Sequence, residues 1–208
     1  MTDILKQIIK SRIVAIIRLE QYTRAAEIAC ALLEGGITTL EFTLTGSGAY
    51  RAIREARAAV GARSVVGVGT VLEASEVREA VEAGAQFVVT PVLRPAVIKA
   101  CKEWAVPVIC GALTPTEAQN AYDAGADMIK IFPARVGGPQ YIRDILAPLP
   151  HLKLAPTGGV SKENARAYLE AGAAVVGIGG NLIARRAVEE GDWAQITAQA
   201  RACVEAVQ

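Results

Sequence analysis

The fold is decided by the stretch Ala124-Gly125-Ala126-Asp127-Met128-Ile129-Lys130-Ile131-Phe132-Pro133. Here a glycine that stops a helix is followed at once by a short apolar run, and a proline ends that run. This order is typical of a helix that leads directly into a buried strand. The same junction recurs at Glu34-Gly35-Gly36-Ile37, Ala83-Gly84-Ala85-Gln86 and Ala171-Gly172-Ala173-Ala174. The recurrence indicates that the chain is built from repeated units.

Outward from this stretch, short apolar segments alternate with longer segments of helical period. The alternation predicts eight strands, each followed by a stretch suited to a helix: Ile13–Arg18, Thr38–Thr43, Ser64–Gly69, Gln86–Pro91, Pro107–Gly111, Asp127–Phe132, His151–Pro156 and Ala174–Gly179. Such alternation produces an α/β fold with a parallel sheet covered by helices. Eight units favour a compact (β/α)8 TIM barrel, a single domain over residues 1–208 with a short N-terminal helix.

An open, doubly wound sheet is the alternative architecture for this order of elements. Its usual dinucleotide-binding fingerprint needs a third glycine after the first two. Neither Gly67-Val68-Gly69 nor Gly177-Ile178-Gly179 is followed by a glycine at the required offset. The sequence therefore favours the barrel.

Composition excludes several classes of protein. The chain is 52% hydrophobic and 21% charged, which is too apolar for disorder and too regularly charged for a membrane span. The net charge of +1 gives no basis for a nucleic-acid partner. The residues from Met1 to Lys6 resemble no export signal, so we expect a cytoplasmic protein. Four scattered cysteines and one histidine predict neither a metal site nor a disulfide framework, and no cofactor is expected.

Lys130 is the residue of the central stretch that most needs an explanation. Side chains alternate along a strand, so Lys130 shares a face with Met128 and Phe132. The same rule applied to the second strand lets Glu41 project inward beside it. Burial of an ammonium group favours the neutral, nucleophilic amine, which suits Schiff-base chemistry with a carbonyl compound. The alternative is a buried Lys130–Glu41 ion pair that only stabilises the barrel.

Glu41 and Arg18 are the next candidates. Acidic residues seldom lie in apolar strands without a partner or a task, and a carboxyl group beside an amine nucleophile can transfer protons. The alternative is that Glu41 serves only as the counter-ion of Lys130 or Arg18. Arg18 ends the first strand and offers a bidentate guanidinium to a substrate carboxylate or phosphate. The alternative for Arg18 is a salt bridge to Glu20 or Glu41.

Two glycine-rich turns follow the last two predicted strands, Pro156-Thr157-Gly158-Gly159-Val160 and Gly177-Ile178-Gly179-Gly180-Asn181. Barrels frequently bind phosphate at these two places, because glycine lets backbone N–H groups approach an anion closely. Tight turns that bind nothing are the alternative. Taken together, the two turns indicate a phosphate site.

Five motifs in this order over nearly the whole chain resemble those of the 2-keto-3-deoxy-6-phosphogluconate (KDPG) and 4-hydroxy-2-oxoglutarate (KHG) aldolases. They are Leu40-Glu41-Phe42-Thr43-Leu44, Gly67-Val68-Gly69-Thr70-Val71-Leu72, Thr90-Pro91, Lys130-Ile131-Phe132-Pro133-Ala134 and Pro156-Thr157-Gly158-Gly159. The resemblance implies a homotrimeric class I aldolase on this barrel. Its substrate would be a phosphorylated 2-keto-3-deoxy sugar acid, cleaved to pyruvate and glyceraldehyde 3-phosphate without a metal. Many members of the family also cleave 4-hydroxy-2-oxoglutarate, to pyruvate and glyoxylate.

By this resemblance Lys130 is the Schiff-base lysine and Glu41 the proton-transferring carboxylate. Substrate binding falls to Arg18, Thr45, Thr70, Pro91, Phe132 and Thr157, and phosphate binding to Gly158, Gly159, Gly179, Gly180 and Asn181. Two positions depart from the family pattern. Thr45 stands near the place where some members carry an arginine, a role that Arg18 would take here, and Asn181 stands where several members have serine.

Three other functions remain open at this point. The first is cleavage of 2-dehydro-3-deoxy-6-phosphogalactonate, the epimeric substrate, although Thr157 resembles the gluconate type. The second is a sugar-phosphate isomerase or epimerase, which usually needs paired acids or histidines at strand ends, whereas the only histidine is His151. The third is a non-catalytic protein that binds a phosphorylated sugar acid.

Overall fold

The structure is a computed structural model that describes residues 2–180 and 182–208. Within these residues seven strands form one parallel sheet in the order β6-β5-β4-β3-β2-β1-β7. The strands are β1 (Ile13–Ile17), β2 (Thr39–Thr43), β3 (Val65–Gly69), β4 (Val88–Val89), β5 (Val108–Ala112), β6 (Met128–Ile131) and β7 (Val176–Ile178). The predicted α/β class with a parallel sheet is confirmed.

The helices of the described residues cover the sheet. They are α1 (Asp3–Ser11), α2 (Ala25–Glu34), α3 (Ala49–Val60), α4 (Ala74–Glu82), α5 (Pro95–Glu103), α6 (Pro115–Asp123), α7 (Gly138–Leu146), α8 (Ala165–Glu170), α9 (Arg185–Glu190) and α10 (Trp193–Val207), with short 3-10 turns at Gly61–Arg63 and Ala134–Val136. The predicted N-terminal helix is therefore present. No helix in residues 2–180 and 182–208 is long and apolar enough to cross a membrane.

The repeated glycine junction ends helices as the sequence predicts. Gly36, Gly84, Gly125 and Gly172 follow α2, α4, α6 and α8, and their φ angles lie between +92° and +101°. This left-handed backbone is rare for residues with a Cβ atom. Each of these helices therefore stops at the glycine, and a strand or the approach to a strand follows within a few residues.

The predicted strand His151–Pro156 is wrong as a strand. The segment from Leu152 to Thr157 makes only two isolated parallel bridges, Ile129↔Leu154 and Thr157↔Gly177. Its N–H groups at Ala155 and Thr157 donate to carbonyl groups of β6. Its own carbonyl groups at Leu154 and Pro156 accept hydrogen bonds from Ala174, just before β7, and from Gly177 within β7. Pro156 has no N–H group to add to a ladder, which limits regular pairing. The described residues thus form seven strands, not the eight of the predicted barrel.

Two layers of apolar side chains hold the fold together. The larger layer lies between the sheet and its helices and includes Ile17, Phe42 and Ile131. The smaller layer lies on the inner face of the sheet and consists of Leu5, Ile8, Val14, Val65, Phe87, Val89, Ile109, Met128, Ala155 and Val175. Leu5 and Ile8 belong to α1, whose apolar side covers the amino ends of the strands. The inner face is therefore closed at one end, and its polar residues lie toward the other.

Candidate active site

Lys130 and Glu41 meet on the inner face of the sheet. They lie on β6 and β2, and the distance between Lys130 Nζ and Glu41 Oε1 is 3.9 Å. Their side chains are 5% and 2% exposed, respectively. The strand-parity prediction that both project inward together is confirmed. Removing two charges from water costs free energy, so the buried pair is weak evidence for a purely stabilising role.

The space around the pair is narrow and mainly apolar. A cavity of about 10 Å³ touches both side chains. Its other lining residues are Val14, Val89, Ile109, Ala155, Thr157 and Gly177. A volume of this size holds about one water molecule. The ring of Phe132 lies on another side of the amine, with its centroid 5.5 Å from Lys130 Nζ.

Burial determines the protonation behaviour of Glu41. Desolvation raises the pKa of its carboxyl group, and the positive charges of Lys130 and Arg18 offset part of that rise. Glu41 Oε1 has no hydrogen-bond partner among the described residues. The carboxyl group therefore keeps its proton to a higher pH than an exposed glutamate does, which suits a group that both takes up and releases protons.

Glycines on the inner face make room for these side chains. A Cβ atom on Gly69 of β3 would collide with the Glu41 carboxyl group, and one on Gly177 of β7 would collide with Thr157 Oγ1. Both glycines lie in motifs that the sequence places at strand ends, but their steric role depends on which strand lies beside them. Sequence reasoning therefore missed it.

Tyr22 fixes the ends of β1 and β2, and sequence reasoning also missed it. Its fully buried hydroxyl lies 2.9 Å from the carbonyl oxygens of Ile17 and Thr43. It also accepts a hydrogen bond from the Thr43 N–H group at 3.2 Å. These contacts hold together the two strand ends that precede Arg18 and follow Glu41. Burial raises the pKa of the Tyr22 hydroxyl, so it stays a neutral donor.

A second, open cavity of about 400 Å³ adjoins the narrow cavity of Lys130 and Glu41, the candidate reaction centre. Arg18, Phe132, Thr157, Gly158, Gly159, Gly179 and Gly180 line it, together with Ile16, Arg135, Val160, Gly177 and Ile183. Thr157 and Gly177 line both cavities, so the two spaces share a wall. The structure thus brings together most of the predicted substrate- and phosphate-binding positions. Asn181 lies outside the described residues.

The glycine turn after Thr157 is held by the 3-10 turn that follows β6. The N–H group of Ala134 donates to the Thr157 carbonyl at 2.7 Å, and that of Arg135 donates to the Gly158 carbonyl at 2.9 Å. Gly158 and Gly159 both have positive φ, at +88° and +87°. Only glycine adopts two such conformations in succession at little cost. The turn is therefore fixed by the segment that carries the lysine.

Arg18 lines the open cavity and forms no salt bridge with Glu20 or Glu41. Glu20, one of its predicted partners, pairs instead with Arg185 at 2.7 Å. Across residues 2–180 and 182–208, no carboxylate oxygen lies within 4.0 Å of the Arg18 guanidinium. Its charge nevertheless acts on Glu41, since it lowers the pKa of that carboxyl group. Arg18 is thus available to an anion close to the reaction centre.

Three predicted binding residues lie outside the linings of both cavities. Thr45 is exposed, and its Oγ1 atom is 2.7 Å from Thr43 Oγ1. Thr70 directly follows β3 and has a φ of +62°, a strained value for a residue with a branched Cβ. The backbone of Pro91 lies against Gly111, where a Cβ atom would collide with it. The structure places all three at the carboxyl ends of their strands, on the same rim as Arg18.

A buried amine lies beside a carboxyl group, at the carboxyl-end side of a parallel sheet and next to an open cationic cavity, which is the arrangement that an enzyme with a lysine nucleophile needs. The family model described as KDPG and KHG aldolase matches residues 4–199. The chain belongs to this family and is an aldolase, a carbon–carbon lyase. The assignment favours the aldolase hypothesis over the isomerase and binding-protein alternatives.

Individual relatives agree with this family. The KHG/KDPG aldolase of Escherichia coli K12 is 38% identical over 200 residues, which cover 93% of this chain and 91% of that protein. A probable 2-dehydro-3-deoxy-6-phosphogalactonate aldolase of Rhizobium meliloti is 35% identical over 82% of this chain and 81% of its own. The crystal structure of KDPG aldolase from Legionella pneumophila, with pyruvate captured as a covalent carbinolamine, superposes with a TM-score of 0.89 at 28% identity, covering 97% and 98% of the two chains.

Proposed function

We propose that this protein cleaves 2-keto-3-deoxy-6-phosphogluconate to pyruvate and glyceraldehyde 3-phosphate through a Schiff base on Lys130, and that it also cleaves 4-hydroxy-2-oxoglutarate to pyruvate and glyoxylate. The observation that carries the proposal is the buried contact of 3.9 Å between Lys130 Nζ and Glu41 Oε1 beside an open cavity. The pyruvate carbinolamine in the Legionella relative supports the same chemistry. The Escherichia coli relative, which is named for both substrates, supports the substrate pair.

The first half of the proposed reaction builds the imine. The neutral amine of Lys130 attacks the C2 carbonyl carbon, and the carbonyl oxygen takes up a proton to give a carbinolamine. Loss of that oxygen as water forms an iminium ion between Nζ and C2. Glu41 supplies and removes the protons, directly or through the single water that the small cavity has room for.

The second half breaks the carbon–carbon bond. The electron pair of the C3–C4 bond moves into the iminium ion, while the ionised Glu41 carboxylate takes the proton of the C4 hydroxyl group, directly or through water, and that group becomes the carbonyl of the aldehyde product. The resulting enamine takes a proton at C3 from the Glu41 carboxyl group, which its raised pKa keeps protonated to higher pH. Hydrolysis of the new imine releases pyruvate and restores Lys130.

The charged ends of the substrate need cationic partners. Arg18 lies close enough to Glu41 to lower the pKa of its carboxyl group, and it therefore suits the substrate carboxylate, which is bonded directly to C2. The turn at Gly158–Gly159 and the glycines at 179 and 180 line the wider cavity, which suits the phosphoryl group. Thr45, Thr70 and Pro91 complete the rim of the pyruvate site in this proposal.

The epimer, 2-dehydro-3-deoxy-6-phosphogalactonate, is a second candidate substrate. The Rhizobium relative named for this substrate supports it. The two substrates differ only in the configuration at C4, the hydroxyl-bearing carbon of the bond to be cleaved. Initial rates with each pure epimer decide between them, and we expect the gluconate form to have the larger kcat/KM.

Reduction with borohydride in the presence of pyruvate tests the proposed function. Borohydride converts an imine into a stable secondary amine, and mass spectrometry of the digest locates it. We expect one pyruvate-derived adduct on Lys130 and none on Lys153, an exposed lysine of the segment from Leu152 to Thr157. Folded protein that shows no adduct, or an adduct elsewhere, would contradict the Schiff-base assignment.

We also propose that the seven strands and the bridging segment from Leu152 to Thr157 form a closed barrel, that three chains assemble into a trimer, and that the protein works in the cytoplasm. Backbone hydrogen bonds of the segment to both β6 and β7 support closure. Exposed large apolar side chains, Val92, Trp104 and Val136 among them, support assembly. Light scattering at several protein concentrations gives the mass, and a monomeric mass would contradict the trimer.

A further inference from the structure

Arg135 is a cationic residue of the open cavity that the sequence motifs do not single out. It belongs to the 3-10 turn Ala134–Val136, which follows the strand of Lys130. Its backbone N–H group donates to the Gly158 carbonyl at 2.9 Å. A Cβ atom on Gly159 would lie 2.7 Å from Arg135 Cβ, so the two backbones are as close as glycine allows. Arg135 is thus fixed against the glycine turn, and its side chain lines the cavity.

The charge of Arg135 is not neutralised by the protein. Across residues 2–180 and 182–208, no carboxylate lies within 4.0 Å of its guanidinium, and the cavity lining contains Arg18 and Arg135 but no acidic side chain. Two guanidinium groups on one cavity produce a positive potential that favours a ligand with more than one negative charge. A phosphorylated sugar acid has two anionic groups, a carboxylate and a phosphoryl group, at opposite ends.

The two arginines differ in their position relative to Glu41: Arg18 directly follows β1, whose Ile16 pairs with Glu41, whereas Arg135 lies in the 3-10 turn beyond the end of β6. Arg18 lowers the pKa of the Glu41 carboxyl group, whereas Arg135 is not among the charges that act on it. The substrate carboxylate is bonded to C2, the atom that reacts with Lys130, and the phosphoryl group is at C6. The arginine nearer Glu41 therefore matches the carboxylate, and the other matches the phosphoryl group.

We propose that Arg135 is a substrate-binding residue that pairs with the terminal phosphoryl group, so that it sets the preference of the enzyme for phosphorylated over unphosphorylated 2-keto-3-deoxy sugar acids. The proposal rests on the proposed aldolase function and assigns one end of its substrate. Guanidinium groups bind phosphate through two parallel N–H···O bonds, which a lysine or a backbone amide cannot reproduce.

The test compares two substrates that differ only in the phosphoryl group, KDPG and unphosphorylated 2-keto-3-deoxygluconate. We expect Arg135→Gln to lower kcat/KM for KDPG about tenfold to a hundredfold through KM, and to leave kcat/KM for the unphosphorylated substrate unchanged. Arg135→Lys recovers part of the loss. Arg143→Gln, on α7 outside the cavity, is the matched control with the same change in charge and changes neither value.

Other outcomes separate the inference from the proposed function. An equal loss on both substrates would overturn the inference, because it would mean that Arg135 only supports the turn at Gly158–Gly159. An unchanged KM for KDPG would overturn it as well. If the unmodified protein cleaves neither substrate, the proposed function fails, and calorimetric titration with inorganic phosphate still tests Arg135. Weaker binding by Arg135→Gln than by Arg143→Gln supports the assignment, and equal binding contradicts it.

Discussion

The two cavities of the site differ in volume, in the polarity of their lining and in their access to solvent. The reaction centre is narrow, has mostly apolar walls, and contains one amine and one carboxyl group with little water around them. The open cavity is about forty times larger and is lined by glycine backbones and two arginines. Burial raises the pKa of the Glu41 carboxyl group in the first. The arginines of the second face an open space in which an anion can bind. The contrast teaches that reactivity and recognition occupy separate spaces here.

The largest effect is expected from Lys130→Met. Methionine fills nearly the same volume without an amine, so no imine forms, and kcat falls by about a thousandfold or more, as when other covalent nucleophiles are removed. Steady-state kinetics give the loss, and thermal unfolding confirms that the protein is folded. Lys153→Met is the control, because Lys153 is exposed and outside both cavities. Turnover within tenfold of the unmodified enzyme would remove Lys130 from the chemistry.

Glu41→Gln is expected to reduce kcat about a hundredfold to ten-thousandfold, the range for loss of a general acid–base group. Burial raises the pKa of Glu41, so its ionised form disappears, as the pH falls, at a higher pH than for an exposed glutamate. The acidic limb of the pH–rate profile therefore lies above the ordinary glutamate value in the unmodified enzyme. We expect that limb to be missing from the variant. The same limb in both proteins would assign it to another group.

A pair of glycine substitutions tests how tightly each cavity is built. Gly69→Ala puts a Cβ atom into the Glu41 carboxyl group, and we expect kcat to fall about tenfold to a hundredfold, because small displacements of catalytic groups are costly. Gly180→Ala meets nothing within 4 Å, so we expect normal folding and an increase of only a few-fold in KM. Thermal unfolding accompanies both assays. Equal effects at the two positions would remove the contrast between the cavities.

The smallest effect is expected from Thr45→Val. Thr45 is exposed and lines neither cavity, and its hydroxyl group contacts only Thr43. Loss of that contact should change the free energy of unfolding by about 0.5 kcal/mol or less, and, because Thr45 lies at the rim rather than inside a cavity, it should raise KM for pyruvate-forming cleavage by no more than about twofold to threefold. A rise in KM of tenfold or more would place Thr45 in the carboxylate site, as the family resemblance implies.

Local rules explain what the sequence could predict. The period of two along a strand is enough to put Lys130 and Glu41 on one face, and a glycine after an apolar run is enough to place the turn at Gly158–Gly159. Neither conclusion requires knowledge of distant contacts. The helix ends at Gly84 and Gly125 could be predicted for the same reason, since the left-handed backbone is a property of single residues.

Features that depend on neighbouring elements could not be predicted in this way. The segment from Leu152 to Thr157 has an apolar pattern, but its pairing depends on the backbone groups of β6 and β7 and on the missing N–H of Pro156. Arg135 lies in a turn whose path is fixed by hydrogen bonds to Thr157 and Gly158. Tyr22 connects two strand ends through its hydroxyl group. In each case the deciding partner is distant in the sequence.

The shared wall of Thr157 and Gly177 has a consequence for protein engineering. Among the described residues, only these two line both spaces, so in the proposed reaction the cavity for the aldehyde half can be redesigned largely without touching Lys130. In the synthetic direction, changes at Arg135 and Gly180 would broaden the range of acceptor aldehydes, while the pyruvate donor stays the same. Thr157 is the position where such a library should be kept fixed, because its side chain lines both cavities.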